Sequence, residues 1–75
     1  MLLQIGEIIM IELTRINGIK FSVNPDLIEV IETTPDTVVT LTTGRKLLLK
    51  ESRLEVNNIV LSYKRYVYAN LLNLK

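Results

Sequence analysis

Any chemistry in this chain would have to rest on carboxylates and hydroxyls, because the sequence contains no His and no Cys. Their absence removes the commonest general base, the commonest transition-metal ligand, thiol catalysis and disulfide scaffolds. The acids that stand closest together are Asp26, Glu29 and Glu32, a set of the kind that serves acid–base work or a hard cation. On a strand, however, Glu29 and Glu32 are separated by an odd number and point to opposite faces. Asp26, after Asn24-Pro25, reads as a turn residue that bonds its own backbone. Ser22 and Ser52 have no His to activate them. Gly18 and Gly44 are single glycines in short turns, with no glycine-rich loop that opens into a helix and cradles phosphate. The residues therefore predict no catalytic residue, no metal site, no cofactor and no enzyme activity.

The basic residues make a more informative pattern. Residues 1–44 hold six acids and two bases, whereas residues 45–75 hold two acids and seven bases, so a net charge of +1 conceals halves of −4 and +5. Arg45, Lys46 and Lys50 lie on one expected strand, and Lys64, Arg65, Tyr66 and Tyr68 add charge and aromatic surface nearer the C-terminus. Such a set can hold nucleic acid or steer an acidic protein, but it also describes an edge strand that charge protects from aggregation. Leu48 alternates out of phase with Leu47 and Leu49, so it is the exposed apolar member of that strand and a candidate contact point. Arg45, Lys46, Leu48, Lys50, Lys64 and Arg65 are the candidate partner-binding residues. An acidic protein is the expected partner and nucleic acid is not expected.

These residues need a scaffold, and 75 residues suffice for one small domain, here residues 1–75. Residues 10–24 alternate apolar and polar with period two around Asn17-Gly18, the pair that suits a type I′ hairpin turn. Asn24-Pro25-Asp26 turns the chain by fixing φ and removing a backbone donor. Ile28, Val30 and Ile31 make a third strand, which Thr34-Pro35-Asp36 ends. Thr37 to Thr42 is nearly all β-branched and reads as a fourth strand. Thr43-Gly44 closes a second hairpin into the fifth, residues 45–50. Ser52-Arg53-Leu54-Glu55 then matches a capping box, and Val56, Ile59, Val60, Tyr63 and Val67 recur at three and four residues along one helical stripe. The expected fold is mainly β with a C-terminal α-helix: a five-stranded antiparallel meander over residues 10–50, open or partly closed into a barrel, packed by a helix and tail over residues 52–70.

Residues 1–13 are interrupted by Gln4, Gly6, Glu7 and Glu12 and cannot make the run of about 20 apolar residues that a spanning helix needs. They also lack the basic start and cleavage site of a signal peptide, so a cytoplasmic location is expected. A core this small, with no covalent or metal staple and with spare apolar residues at Leu48, Tyr68, Leu71, Leu72 and Leu74, predicts a homo-oligomer.

The wording of the chain from Met10 to about Arg65 resembles the small flagellar proteins of the FlbD family, also called SwrD. The resemblance is carried by Ile11-Glu12-Leu13-Thr14-Arg15-Ile16-Asn17-Gly18, Phe21, Asn24-Pro25-Asp26-Leu27-Ile28-Glu29, Ile31-Glu32, Thr34-Pro35-Asp36-Thr37, Thr42-Thr43-Gly44, Lys50-Glu51-Ser52, Val56 and Tyr63-Lys64. It implies a cytoplasmic protein that supports motility at the flagellar motor or its stator, peripheral to the membrane, without enzyme activity. It also implies that Asn17, Gly18, Asn24, Pro25, Asp26 and Gly44 are architectural turns, and that residues 1–9 are an N-terminal extension. A shorter echo, Ile11 to Arg15 followed by a hairpin, is similar to the dimeric RNA-binding carbon-storage regulators, and makes a small oligomeric RNA-binding regulator the alternative function.

Overall fold

The computed structural model describes residues 2–5, 8–33 and 35–72. Among them the chain runs β1 (Leu2–Ile5), β2 (Ile8–Thr14), β3 (Lys20–Val23), a 3-10 turn (Pro25–Leu27), β4 (Ile28–Thr33), β5 (Thr37–Leu41), β6 (Lys46–Leu49) and α1 (Arg53–Leu72). The mainly-β reading with a C-terminal helix holds, and all five strands expected within residues 10–50 are present. They do not form one meander. Two three-stranded antiparallel sheets form instead, in the orders β1-β2-β3 and β4-β5-β6.

The sheets meet at a corner made by the end of β2. Ile16 donates its amide to the Leu48 carbonyl at 3.0 Å and Lys50 donates to Thr14 at 2.9 Å, around a bridge between Arg15 and Leu49. Arg15 itself donates to Ile19 across the first hairpin. Because neighbouring residues of a strand bond to opposite edges, β6 meets β2 on the edge away from β3. The Glu51 carboxylate completes the corner by accepting the Thr14 amide at 2.9 Å. This junction partly curls the structure without closing a barrel.

Residues 2–5, within the expected N-terminal extension, pair with β2 from Leu2 opposite Ile11 to Ile5 opposite Ile8. The expected two-residue type I′ turn at Asn17-Gly18 is a three-residue loop. Gly18 donates to the Arg15 carbonyl at 2.8 Å and alone takes positive φ, +91°, so the loop is a type I turn closed by a left-handed glycine. The Asn17 side chain accepts from Ile19 at 3.0 Å and holds the exit of the loop. Thr42 to Gly44 repeats the design, with Gly44 also at +91° and the Leu41 amide donating to Arg45.

Ile11, Leu13, Val23, Val39, Leu47, Leu49, Val56 and Tyr63 are buried together as the core. The two sheets supply the first six of these. α1 lies across them with Val56 and Tyr63 inward and Ile59, Val60 and Val67 half-buried, the stripe that the three-and-four spacing requires. Its start is the expected capping box: Glu55 donates its amide to Ser52 Oγ at 3.1 Å and Ser52 donates its own to Glu55 Oε1 at 2.8 Å. The helix extends through Leu72, so the apolar residues after Arg65 continue it. Thr34 and Leu74 lie outside the described residues.

Candidate protein-docking face

Strand β6 alternates faithfully. Leu47 and Leu49 enter the core while Lys46, Leu48 and Lys50 remain exposed, Leu48 at 47%. Since the inner face of β6 packs toward α1, these three residues lie on the side of the second sheet that faces away from the helix. Their neighbours follow from register: Val38 is opposite Leu48 and Thr40 opposite Lys46, and in the next strand Glu32 is opposite Val38 and Val30 opposite Thr40. On the other flank the Arg15–Leu49 bridge places Ile16 across from Leu48. One row therefore crosses β4, β5 and β6 as Glu32, Val38 and Leu48 and ends at Ile16 of the first hairpin loop, with Leu48 and Ile16 exposed, and Val30 is exposed in the adjacent row. Lys46 and Lys50 flank its centre and exposed Arg45 stands at the loop beside Lys46. An apolar strip framed by cations is the arrangement that buries area against a partner while charge orients the encounter.

The candidate basic set is thereby divided. Arg45, Lys46, Leu48 and Lys50 come together, but Lys64 and Arg65 are exposed on α1, across the sheet from them. The single basic ribbon that would track a phosphate backbone does not form from these six residues. Sequence reasoning missed Ile16 and Val38 on this face. Ile16 belongs to a loop by local pattern, and only the long-range bridge to β6 brings it beside Leu48.

Three of the carboxylates, Asp26, Glu51 and Glu55, accept hydrogen bonds that tie elements together. A register shift between Ile28 and Val30 marks a bulge in β4, and Glu29 and Glu32 still part, Glu29 into the cleft beside α1 and Glu32 opposite Val38 on the outer face. Ile28 and Ile31 both turn inward, half-buried, while Glu29, Val30 and Glu32 are all exposed, because a bulge inserts one residue without a partner. Asp26 was expected to bond its own backbone. Asn24 does so instead, its Oδ1 accepting the Asp26 amide at 2.9 Å. That leaves Asp26 Oδ2 to accept the Tyr63 hydroxyl at 3.0 Å, which ties the 3-10 turn to the middle of α1. Asp26 and Glu29 line an open cleft of about 440 Å³ between β4 and α1, with Asn57 and Lys64 opposite. A second cleft of about 370 Å³ holds Glu51 and Glu55, the first accepting from Thr14 and the second from Ser52.

Burial of the Tyr63 ring, the hydrogen bond to Asp26 and the negative charge of that carboxylate push the Tyr63 hydroxyl above the usual tyrosine range. The folded state thus holds this proton more tightly than the unfolded chain does. Its contribution is complete below about pH 10 and is lost as pH rises through the raised value. Tyr63→Phe is expected to cost about 1 kcal/mol near neutrality and to flatten the alkaline limb of Tm against pH. A Tm profile for the variant that declines in parallel with that of the parent would assign the alkaline limb to other groups.

The fold is thus two short antiparallel sheets joined at a corner under one helix, with Leu48 exposed between Lys46 and Lys50 on the outer face of the second sheet. Its sequence places it more closely: the model of the FlbD family, flagellar and swarming motility proteins, matches residues 10–68, and the chain belongs to that family. The match begins within β2, at Met10, and runs through β6 and most of α1, leaving β1 outside it. No curated protein and no solved structure matches the chain.

Proposed function

We propose that this protein supports flagellar motility as a non-enzymatic accessory, binding an acidic surface on a component of the motor or stator through the outer face of the second sheet. The observation that carries this reading is the alternation of β6, which exposes Leu48 between Lys46 and Lys50 on the side away from α1. Family membership supplies the cellular setting. The cations set orientation and encounter rate, and Leu48 with Ile16 supplies apolar area, a division of labour common to modest transient interfaces. Such a protein acts in the cytoplasm beside the base of the motor.

Cells lacking the protein are expected to assemble filaments yet swim or swarm poorly. Arg45→Glu with Lys46→Glu is expected to reproduce part of that defect while leaving circular dichroism and Tm nearly unchanged, because exposed charges contribute little to stability. Filament staining, motor torque and motility of the two strains check this. Normal motility in the charge-reversed strain would remove the basic strand from the interaction surface. Missing filaments in the deletion strain, with salt-dependent retention of RNA by the purified protein, would favour the RNA-binding alternative.

A further inference from the structure

The face of α1 turned away from the core carries a second apolar stripe. Leu54, Leu61 and Tyr68 recur at intervals of seven and are 68%, 45% and 65% exposed. Two helical turns take 7.2 residues, so the three side chains lie almost in line, drifting by only about 20° per step. They are not the edges of the buried stripe, since Leu61 stands two positions before buried Tyr63, which is more than half a turn around the helix. A helix seated on a sheet normally leaves its outer face polar. This one offers large side chains at the spacing by which one helix receives another.

The stripe is self-complementary. Leu61 lies near the middle of the helix Arg53–Leu72, with Leu54 seven residues before it and Tyr68 seven after. A second copy laid antiparallel about a two-fold axis at Leu61 sets Leu61 against its own counterpart and each Leu54 against the other copy's Tyr68. The polar residues decide the direction. In the antiparallel pair each flank of the stripe meets the same flank of the other copy, so Arg65 falls beside Asn58 and Lys64 beside Asn57, whose exposed side-chain carbonyls can accept from a cation. A parallel pair swaps the flanks and would bring Arg65 of each copy against Lys64 of the other, a repulsive register. The antiparallel arrangement also opposes the two helix dipoles. We propose that two copies of this chain pair antiparallel through the outer face of α1, with the symmetry axis at Leu61. The outer face of the second sheet, on the far side of each subunit from this contact, stays open to its own partner.

A contact confined to a helix about 30 Å long is smaller than a standard interface of roughly 800 Å² per partner, so a micromolar rather than nanomolar dimer is expected. The test is sedimentation of the full chain at about 100 micromolar, well above such a dissociation constant. The parent chain should sediment as a dimer, and Leu61→Glu, which places two like charges at the axis, should halve the mass with unchanged circular dichroism. Because the chain has no native Cys, single-cysteine variants report direction. Leu61→Cys should cross-link to itself with a short bis-maleimide. Leu54→Cys should cross-link when mixed with Tyr68→Cys, and neither of these should do so alone. A monomeric parent at that concentration would overturn the proposal. So would a Leu61→Glu variant that remains dimeric, or self-cross-linking by Leu54→Cys as efficient as the mixed reaction, which would mark a parallel pair.

Discussion

Leu49→Ala is expected to cost 2–5 kcal/mol, about the range measured when a fully buried leucine is truncated and the site collapses only partly. That loss is a large share of the stability available to a small domain, which is about 0.05–0.15 kcal/mol per residue. Leu49 is only 2% exposed and lies where the two sheets become one structure. It pairs with Thr37 within the second sheet and bridges to Arg15 at the end of β2. Its removal opens a cavity beside the hydrogen bonds that hold Thr14 and Ile16 to β6, so both sheets lose support together. Leu48→Ala, one residue away and nearly half exposed, removes the same atoms from the surface and is expected to cost well under 1 kcal/mol. Urea unfolding of both variants at equal, low protein concentration decides the matter. A large drop in midpoint for Leu49→Ala with an unchanged slope against denaturant locates the effect in the folded core. Equal midpoints for the two variants would mean that β6 faces the other way.

That contrast was legible in the sequence, because alternation by two separates Leu48 from Leu47 and Leu49 without reference to any other element. The same local logic found strands β2 to β6, the capping box at Ser52 and the buried stripe of α1. Features created by a distant partner were not legible. Tyr63 reaches Asp26, and Glu51 reaches Thr14, each across 37 residues, and neither acid carries a local sign of its assignment. The bulge in β4 depends on how β5 pairs with it and was not legible from β4 alone, although counting along the strand does separate Glu29, in the cleft beside α1, from Glu32 on the outer face. Strand β1 escaped because Leu2-Leu3-Gln4-Ile5 does not alternate, and an apolar run that short does not distinguish a strand from an unstructured start. The second stripe on α1 had a readable signal, the interval of seven. It is masked because Leu54, Leu61 and Tyr68 each stand singly beside the fuller three-and-four stripe that faces the core.

The turn at Asn17-Gly18 shows how a local signal can name the right residues and the wrong geometry. Asn-Gly fits a two-residue type I′ loop, which needs positive φ at both positions; here Gly18 alone has it. The strain of a side chain is therefore concentrated at one residue, and Gly18→Val is expected to destabilise the fold by about 1–3 kcal/mol. Nothing lies within 4 Å of a Cβ built on Gly18, so the cost is conformational and not steric contact with the rest of the protein. This separation gives the test its control. Gly18→Asn introduces a side chain at the same open position, but Asn enters the left-handed region at little cost, so its Tm is expected to fall much less than that of Gly18→Val. A thermal melt of the parent and the two variants reads the difference. Equal losses for Asn and Val would transfer the effect from backbone strain to the presence of any side chain. No loss for either would mean that the loop reforms with a different register, and the junction of Ile16 with β6, one residue before Asn17, would then have to shift with it.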